Sequence, residues 1–293
     1  MILISIIIPT HNRKFYLEKL LFDIKSQTEI SNFQIDIYVV VDGSNDGTLE
    51  MLHSEFPNVH IIKGPGDWWI TKSLNEGCKI ALLTDTDYVV TFNDDIEIPE
   101  NYFAKLNKIL VKVGKDSLIG SLSVTKEEPH LITFSGIREI NKLFLHQVPY
   151  FPYFQKYNSY NKGIYLSKSL VTRGLIIPIK ILKDLHCFDE RFPQYGSDED
   201  FCLRAIKKGY EAFISFDLVV YSHYKLTSKG TNYTKPGLIE FVKSFFNKYS
   251  VNSISKQIHF YIRHGVPVFL PFFLMIYFLA SVKAYLFKYT ELQ

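Results

Sequence analysis

The sequence predicts an α/β fold, in which a mixed and mainly parallel β-sheet is flanked by helices. Apolar, β-branched runs at residues 2–8 and 88–92 predict strands that are buried on both faces. Segments with apolar residues at helical spacing follow the strands, as residues 15–24 follow the first. Polar residues end the strands, and in open α/β sheets ligands gather at the carboxyl ends of the strands.

The first half of the chain has the layout of a nucleotide-binding α/β unit. The first strand ends at Pro9 and Thr10, and a second strand at residues 35–41 ends at Asp42. A short third strand at 59–62 precedes a loop that carries both tryptophans of the chain at residues 68–69. The glycines match neither GxGxxG nor GxxxxGK[ST], so we expect a bound nucleotide to be held in another way.

The strand at 88–92 stops at Asn93, Asp94 and Asp95. Two adjacent carboxylates repel each other unless a cation or a donor-rich ligand lies between them. Mg²⁺ takes one or two carboxylates together with substrate phosphates. Two interpretations remain open on these residues alone: a metal site, or a polar turn that leads to a helix capped near residues 99–100.

The second half of the chain is predicted less completely. A helix after Pro99 ends near Gly114, and strands follow at residues 118–124 and 172–178. Residues 125–170 show weak periodicity and receive no assignment. A helix beginning within residues 198–200, with apolar residues from Phe201 onward, ends at Gly209, and a last strand at 213–221 precedes His223.

Composition excludes a disordered chain and separates the tail from the body. The 293 residues are 47% hydrophobic and 22% charged, as in globular proteins. The net charge is +3, but residues from Lys225 onward carry nine basic and two acidic side chains, whereas the first 224 residues carry 24 and 28. An acidic body with a basic, aromatic tail favours a membrane surface as partner, and we expect no nucleic acid.

The three cysteines and the first residues indicate a reducing compartment. Cys78, Cys187 and Cys202 match no zinc or redox spacing, so we interpret them as ordinary thiols. Residues 1–8 lack a basic region and end before Pro9, so we interpret them as a first strand and not as a signal peptide. We therefore expect a cytoplasmic protein.

Residues 265–282 form an uncharged stretch whose length lies at the lower edge for a membrane span. Pro267 and Pro271 disfavour a straight helix across the bilayer. Aromatic residues with flanking Lys suit a helix that lies in the membrane interface, and packing against the body is the alternative. We accordingly divide the chain into a catalytic domain, 1–225, and a basic, aromatic helical extension, 226–293, that we expect near the membrane.

Five sequence elements occur in an order and at spacings that resemble one family. They are SIIIPTHNR at residues 5–13, VDGSNDGT at 41–48, NDD at 93–95, RG at 173–174 and GSDEDFCLRA at 196–205. Each is weak alone, but together they resemble inverting glycosyltransferases of family 2, with the GT-A fold, of the kind that builds bacterial surface polysaccharides. The resemblance covers about residues 2 to 225.

The resemblance implies roles on the donor side of a site. Pro9 and Thr10 would contact the nucleotide through the main chain, and Asp42 would accept the N3–H of a pyrimidine base. Asn93 stands where the family has Asp, so it would bond the ribose or phosphate as a neutral group.

In the same comparison Asp95 would take a divalent cation, Mg²⁺ or Mn²⁺, with Asp94 as a helper. His223, just beyond the last strand, would complete the metal site or meet the diphosphate. Trp68 would stack on a base or a sugar ring, and packing under its loop is the alternative.

The resemblance also implies a single displacement, in which an acceptor hydroxyl attacks the anomeric carbon and a nucleoside diphosphate leaves. A carboxylate must take the proton, and Asp198 is the aligned acid. We expect the helix N-terminus to lower its pKa, and we leave open which of Asp198 and Asp200 caps the helix. Arg204 is expected to support a carboxylate, and Arg173 to meet a phosphate or an acceptor.

The function implied is transfer of a sugar from a UDP- or dTDP-sugar to a saccharide or a lipid-linked saccharide in cell-surface polysaccharide synthesis. We expect the protein in the cytoplasm, held peripherally at the inner face of the cell membrane. Two alternatives come from other classes. A sugar-phosphate nucleotidyltransferase needs a basic phosphate loop, of which Arg13 and Lys14 are a reduced version. A non-catalytic module would bind a nucleotide sugar or a membrane without turnover.

Overall fold

The computed structural model describes residues 1–226 and 236–288. The strands of this part are β1 Ile2–Thr10, β2 Phe33–Asp42, β3 His60–Gly64, β4 Tyr88–Thr91, β5 Ile96–Glu97, β6 Ser117–Thr125, β7 Ile132–Phe134, β8 Ile137–Asn141, β9 His146–Pro149, β10 Ile164–Leu166, β11 Leu175–Pro178 and β12 Glu211–Ser222. Its α-helices are α1 Lys14–Lys25, α2 Thr48–Glu55, α3 Trp69–Ala81, α4 Tyr102–Val113, α5 Ile179–Leu185, α6 Ser197–Lys207, α7 Leu238–Ser244, α8 Ile254–His264 and α9 Leu270–Lys283.

One mixed sheet organises the body. Its strand order is β10-β12-β6-β11-β4-β1-β2-β3, with β5 added to β12 and β7 added to β6. The pairs β1–β2, β1–β4, β2–β3 and β6–β12 are parallel, whereas β11 runs antiparallel between β4 and β6. Strands β8 and β9 form a separate hairpin. The predicted mixed and mainly parallel sheet is confirmed.

Alternating burial along the central strands produces two core layers. Side chains of a strand point to opposite faces in turn. Ile6 and Ile8 of β1 therefore join the cluster under α1 and α4, while Ile7 joins the cluster under α3, α5 and α6. Helix α1 buries Leu17, Leu20, Leu21 and Ile24. Phe15, which shares their helical spacing, instead stays 66% exposed.

The region that the sequence left unassigned, 125–170, contains β7 to β10. These strands are three to five residues long, too short to show a clear period. The other predicted elements are present with shifted ends. Helix α6, for example, begins at Ser197, ahead of the interval 198–200 in which the sequence placed its start.

The helical extension packs against the body. The buried Tyr261 of α8 donates its hydroxyl hydrogen bond to the carbonyl of Leu143, 2.8 Å away. The ring of Tyr249 stacks on Trp69, with centroids 4.4 Å apart. Helices α7–α9 follow the last strand, β12, and contact the body that contains the sheet, so the division of the chain into two domains near residue 225 stays a prediction.

One helical stretch in the described part, Pro267–Phe287, is long and apolar enough to cross a membrane by length and composition. Phe273 packs it onto α8 through a stacked contact with Tyr261 at 4.2 Å. Most of its other apolar side chains are exposed, as are those of α7. The three cysteines are free and buried, as the sequence predicts for ordinary thiols.

Candidate active site

Three neighbouring parallel strands end at one edge of the sheet. Thr10 ends β1 and pairs with Val41 of β2, and Ile7 of β1 pairs with Thr91 of β4. Asp42 is the last residue of β2. Because β1, β2 and β4 are parallel, their polar carboxyl-terminal residues collect at this edge, as the sequence predicts.

Asp94 and Asp95 follow β4 and are almost fully buried, with 5% and 3% of their surface exposed. Nη1 of Arg13 lies 3.0 Å from Oδ1 of Asp94 and 3.0 Å from Oδ2 of Asp95. Nη2 of the same guanidinium donates to the carbonyl of Leu226 at 3.1 Å. Arg13 therefore partly neutralises the carboxylate pair and ties it to the end of the sheet domain.

The pairing of this edge is incomplete. Oδ1 of Asp95 is buried and has no hydrogen-bond partner in the described part of the chain. Burial raises the pKa of Asp94 to about 6; Arg13 opposes this shift and the neighbouring Asp95 adds to it. A buried carboxylate oxygen without a partner fits a hard divalent cation, which takes oxygen ligands.

The structure gives Asp42 a role that the sequence did not predict. Its Oδ1 accepts the backbone N–H of Gly66 at 2.7 Å, and its Oδ2 accepts those of Trp68 and Trp69 at 2.9 and 3.1 Å. Asp42 therefore fixes the tryptophan loop. A carboxylate has about four acceptor sites, so the contact with a pyrimidine N3–H stays a prediction that one remaining site would serve.

The two tryptophan rings pack in different ways. Trp68 is half-buried against the core, and Nζ of Lys72 lies 5.4 Å from its ring centroid. Trp69 is 43% exposed and stacks on Tyr249 of the extension. Packing, the alternative left open for the loop, accounts for both rings in this structure, and stacking of Trp68 on a ligand stays a prediction.

Thr172 joins the β4 edge to the first turn of α6. Its hydroxyl donates to Oδ1 of Asn93 at 3.4 Å, and its carbonyl accepts the Thr91 hydroxyl at 2.8 Å. Its backbone N–H acts on the carboxylate of Asp198, whose pKa it lowers. Gly174 follows shortly after with a φ of +80°. A Cβ there would come within 2.5 Å of Oγ of Ser121, so the tight path requires glycine.

Asp198 lies in the first turn of α6, and its Oδ1 accepts the backbone N–H of Glu199 at 3.0 Å. Burial raises its pKa, while the hydrogen bonds from Glu199 and Thr172 and the nearby Arg173 lower it. The net shift is upward, so the predicted lowering of this pKa by the helix N-terminus is wrong: desolvation outweighs the helix and the donors. A raised pKa makes the carboxylate a stronger proton acceptor.

Neither aspartate left open as the helix cap has that position. Gly196, with φ of +88°, is the N-cap of α6. Asp200 is fully buried, and its Oδ2 accepts from Nε of Arg204 at 2.7 Å, as expected for Arg204. Its Oδ1 accepts from Arg263 and His264 of α8, at 2.6 and 2.8 Å.

Arg173 and His223 lie on the same side of the sheet but have different partners. Nη1 of Arg173 donates to Oγ of Ser222 at 3.1 Å, and its charge acts on Asp198. Nε2 of His223 lies 2.9 Å from Oε1 of Glu97, while its backbone N–H donates to the carbonyl of Asp95.

The structure therefore does not bring the His223 ring to the carboxylate of Asp95. Glu97 also pairs with Lys19 and Lys126, and these cations lower its pKa against the opposing effect of burial. A negatively charged partner explains why His223 turns to Glu97. In residues 1–226 and 236–288 no group of three or more His, Cys, Asp or Glu is placed to hold a metal ion. Metal ligation by His223 would need its ring to leave Glu97.

Sequence reasoning missed the residues that complete the site through long-range contacts. Arg13 is 81 positions from Asp94, and Arg263 is 63 positions from Asp200. Thr172 precedes a recognised Arg-Gly pair and was not singled out. The sequence does offer a signal for Glu97, because this acid follows Asp95 by two residues. Its three partners, Lys19, Lys126 and His223, come from distant parts of the chain and could not be predicted.

Comparisons with known proteins agree with this geometry. A family model described as glycosyl transferase family 2 matches residues 5–170, more than half of the chain. No curated protein sequence gives a significant match.

Among solved structures, a crystal structure of GalNAc-T7 with UDP, GalNAc and Mn²⁺ superposes with a TM-score of 0.63 at 14% identity, covering 92% of this chain and 56% of that one. S. aureus TarS gives 0.57 at 16% identity, covering 97% and 54%. A structure of S. aureus TarS 1-349 in complex with UDP gives 0.54 at 16% identity, covering 89% and 78%. The chain thus spans little more than half the length of the first two, and the predicted GT-A fold is confirmed.

Proposed function

The chain belongs to glycosyl transferase family 2, and we propose that it transfers a sugar, with inversion, from a nucleoside-diphosphate donor to a hydroxyl group of a saccharide acceptor. Two of the similar solved structures are described with UDP, which supports a UDP-sugar or the related dTDP-sugar as donor. The sugar and the linkage depend on contacts that the family does not specify.

The observation that carries this proposal is the short path through Thr172 between the two acidic elements. The Thr172 hydroxyl donates to Asn93, next to the buried carboxylate pair, and its backbone lies near enough to Asp198, the acid aligned with the family's base, to lower the pKa of that carboxylate. A displacement reaction needs groups that hold the leaving diphosphate and a group that takes the acceptor proton, close together and in fixed relation. Thr172 thus places Asn93 and Asp198 close to each other at this edge.

In the proposed reaction Asp198 accepts the proton of the attacking hydroxyl. The oxygen of that hydroxyl forms a bond to the anomeric carbon while the bond to the diphosphate oxygen breaks. Because burial raises its pKa, Asp198 is a stronger proton acceptor than an exposed aspartate. Main-chain atoms of Pro9 and Thr10, together with Asp42 and Trp68, would contact the nucleotide, and Asn93 and Arg173 would contact its sugar and phosphates.

Asp95, with Asp94 beside it, would hold a divalent cation, Mg²⁺ or Mn²⁺. When bound, the cation supplies positive charge that stabilises the negative charge growing on the diphosphate. The partnerless Oδ1 of Asp95 supports this assignment, and one similar structure is described with Mn²⁺. Arg13 already contacts Oδ1 of Asp94 and Oδ2 of Asp95. These two oxygens are therefore less available to a cation than Oδ1 of Asp95.

A panel of nucleotide sugars tests the donor. Thermal stabilisation of the protein is measured with each donor in the presence of Mn²⁺, Mg²⁺ or excess chelator. We expect one pyrimidine nucleotide sugar to raise the melting temperature in a cation-dependent way, since a ligand that binds only the folded state stabilises it. Purine nucleotide sugars stabilising equally well would contradict the proposal.

The same donor distinguishes the two alternative functions. A nucleotidyltransferase releases pyrophosphate from a nucleoside triphosphate and a sugar phosphate. A non-catalytic module binds the donor but forms no nucleoside diphosphate, even with a range of saccharide acceptors. We expect nucleoside diphosphate to form and pyrophosphate release to be absent.

We further propose that the acceptor is lipid-linked, in cell-surface polysaccharide synthesis, and that the extension contacts the inner face of the cell membrane. Exposed apolar side chains at α7 and along the stretch Pro267–Phe287 support this proposal. They include Leu238 and Ile239 of α7, Phe246 just after it, and Val268, Phe278 and Leu279 of the second stretch. The net positive charge of the tail suits anionic lipid.

Vesicle flotation tests the membrane contact. Deletion of residues 236–293, which the sequence suggests as the test, also removes the partners of Asp200, so point variants are cleaner. Phe246→Ser with Val268→Ser should reduce flotation with anionic vesicles. Val111→Ser, which changes an 83%-exposed apolar residue on α4, should not. Equal flotation of both variants would contradict the assignment.

A further inference from the structure

We propose that α8 positions the catalytic helix α6: Arg263 and His264 hold Asp200, and through it they keep Asp198 in place for proton transfer. This proposal rests on the proposed function in one respect, the role of Asp198 as base. The structural contact between the two helices does not depend on that role.

Asp200 is the anchor of this contact. It lies two residues after Asp198 in the first turns of α6 and is fully buried. Three charged or polar donors pair both of its oxygens: Arg204 Nε at 2.7 Å on Oδ2, and Arg263 Nη1 and His264 Nε2 at 2.6 and 2.8 Å on Oδ1. Arg204 belongs to α6 itself, whereas Arg263 and His264 belong to α8, so these two donors attach α6 to α8.

Further bonds make the contact rigid on both sides. Nη2 of Arg263 also pairs with Asp189 at 2.8 Å, in the loop that leads to α6. Arg204 donates to the carbonyls of Leu185 and Cys187 at 2.8 and 3.0 Å, at the end of α5. The side chain of His264 is 5% exposed, and its ring lies 4.8 Å from Phe260.

Asp198 has few other restraints on the side of the helix. It accepts a bond from the backbone of Glu199, within the same turn, at 3.0 Å, and lies near the backbone of Thr172 on the sheet side. If the first turn of α6 moves, the position of the base relative to Thr172 and to the donor changes with it. Misplacement of a catalytic group by about 1 Å can cost about 100-fold in rate.

The contact also gives the extension a role besides membrane binding. Asp200 depends on its donors from α8, because a buried carboxylate that loses a partner is strongly destabilised. The partners belong to the segment whose exposed apolar faces we assign to lipid. A change in how the extension is held would therefore act on the turn that carries Asp198.

The test compares Arg263→Met with Arg191→Met in the full-length protein. Both variants remove an arginine that pairs with Asp189, but only Arg263 also contacts Asp200. At a temperature well below the melting point, Arg263→Met should lower kcat about 10- to 100-fold with the donor KM within about threefold. Arg191→Met should leave both within about twofold. An Arg263→Met kcat within about twofold of wild type would overturn the proposal.

Hydrogen–deuterium exchange gives a readout that does not need activity. The amide of Asp200 donates to the carbonyl of Gly196 at 2.9 Å, so it reports on the first turn of α6. Its exchange should accelerate in Arg263→Met and stay unchanged in Arg191→Met; unchanged exchange in both would overturn the proposal. If wild type transfers no sugar, the proposed function fails, whereas this measurement still decides whether α8 holds α6.

Two further variants separate positioning from general stability. Arg263→Lys keeps a positive charge that can reach Asp200, and it should recover at least a third of the wild-type kcat; activity as low as in Arg263→Met would overturn the role of the ion pair. If Arg263→Met does not fold, His264→Asn replaces it. The shorter Asn side chain weakens the hydrogen bond to Oδ1 of Asp200, so kcat should fall several-fold while KM for the nucleotide sugar stays unchanged. An unchanged kcat would overturn the proposal.

Discussion

Two groups of buried aspartates in this protein differ in how completely their oxygens are paired. At the sheet edge, Asp94 and Asp95 share one guanidinium nitrogen of Arg13, and Oδ1 of Asp95 has no partner among the described residues. At the junction of α6 and α8, both oxygens of Asp200 are paired, by three donors from two helices.

The difference distinguishes a pair with an unpaired oxygen, where we propose that a ligand binds, from a carboxylate that connects two helices. A buried polar atom without a partner costs about 1–3 kcal/mol, so a protein keeps one where a ligand supplies the missing bond. A buried carboxylate whose two oxygens are both paired connects the elements that donate to it. Asp198 and Asp200 stand two residues apart on α6; Asp200 is paired with α8, whereas Asp198 accepts from the backbone of Glu199 in its own turn.

Asp198→Asn should give the largest effect and would mark the reactive side of α6. Asn has nearly the same size but cannot accept the proton, and general-base assistance contributes about 10²–10⁴-fold. Transfer at saturating donor should fall by that factor, with donor affinity within a few-fold. If Asp198→Asn is near normal and Asp200→Asn is inactive though folded, the base lies two residues later and the comparison is reversed.

Asp95→Asn tests the unsaturated edge. Removing the charge that would face the cation should lower transfer by about 10²–10³-fold, as is typical when one preorganised electrostatic group is lost. The melting temperature without ligand should be unchanged or higher, because one of two repelling buried charges is gone. Assays with Mn²⁺ and with excess chelator check this prediction, and full turnover in chelator would rule out the metal assignment.

Asp200→Asn tests the junction of α6 and α8 and should mainly lower the free energy of unfolding. Breaking a buried ion pair by neutralising one partner costs about 3 kcal/mol in the free energy of unfolding. The loss of kcat should be milder than for Asp198→Asn, since Asn still accepts one hydrogen bond. Urea unfolding of both variants provides the measurement. An unchanged unfolding free energy would mean that the three donors contribute little.

Asp42→Ala tests an aspartate that has a structural role in the tryptophan loop and a predicted role in nucleotide binding. It removes the acceptor of the N–H groups of Gly66, Trp68 and Trp69, at about 1–3 kcal/mol for each group left buried and unpaired. We expect a lower melting temperature together with weaker UDP binding. Weaker UDP binding at unchanged stability would mean that the Asp42 carboxylate serves only the pyrimidine of the nucleotide. Unchanged UDP binding would mean that it serves only the tryptophan loop.

The pH dependence of kcat should show the smallest effect. Because burial raises the pKa of Asp198, the ionised base is lost as pH falls through a value above the usual value of about 3.9. The acidic limb of the kcat profile should therefore have its midpoint above that value in wild type. A midpoint at or below it would show that bound substrate removes the effect of burial, or that another group is the base.

The sequence by itself determined the sheet and the edge at which the polar residues lie. Strong apolar runs such as 88–92 fix buried strands, and the parallel order of β1, β2 and β4 then brings Thr10, Asp42 and Asp95 to one side. The five motifs identified the family for the same reason, since they are local patterns. Local pattern also placed Arg204 on a carboxylate one helical turn away.

Only the tertiary structure decided which partner each charged group has. The ring of His223 pairs with Glu97, and the carboxylate of Asp42 accepts N–H groups of the tryptophan loop. Asp200 pairs with Arg263 and His264 of the extension. The upward pKa shift of Asp198 likewise depends on burial by distant segments. Periodicity and motifs report on neighbours within a few residues, whereas desolvation and ion pairing depend on distances in space, which the chain sets only when its elements have packed.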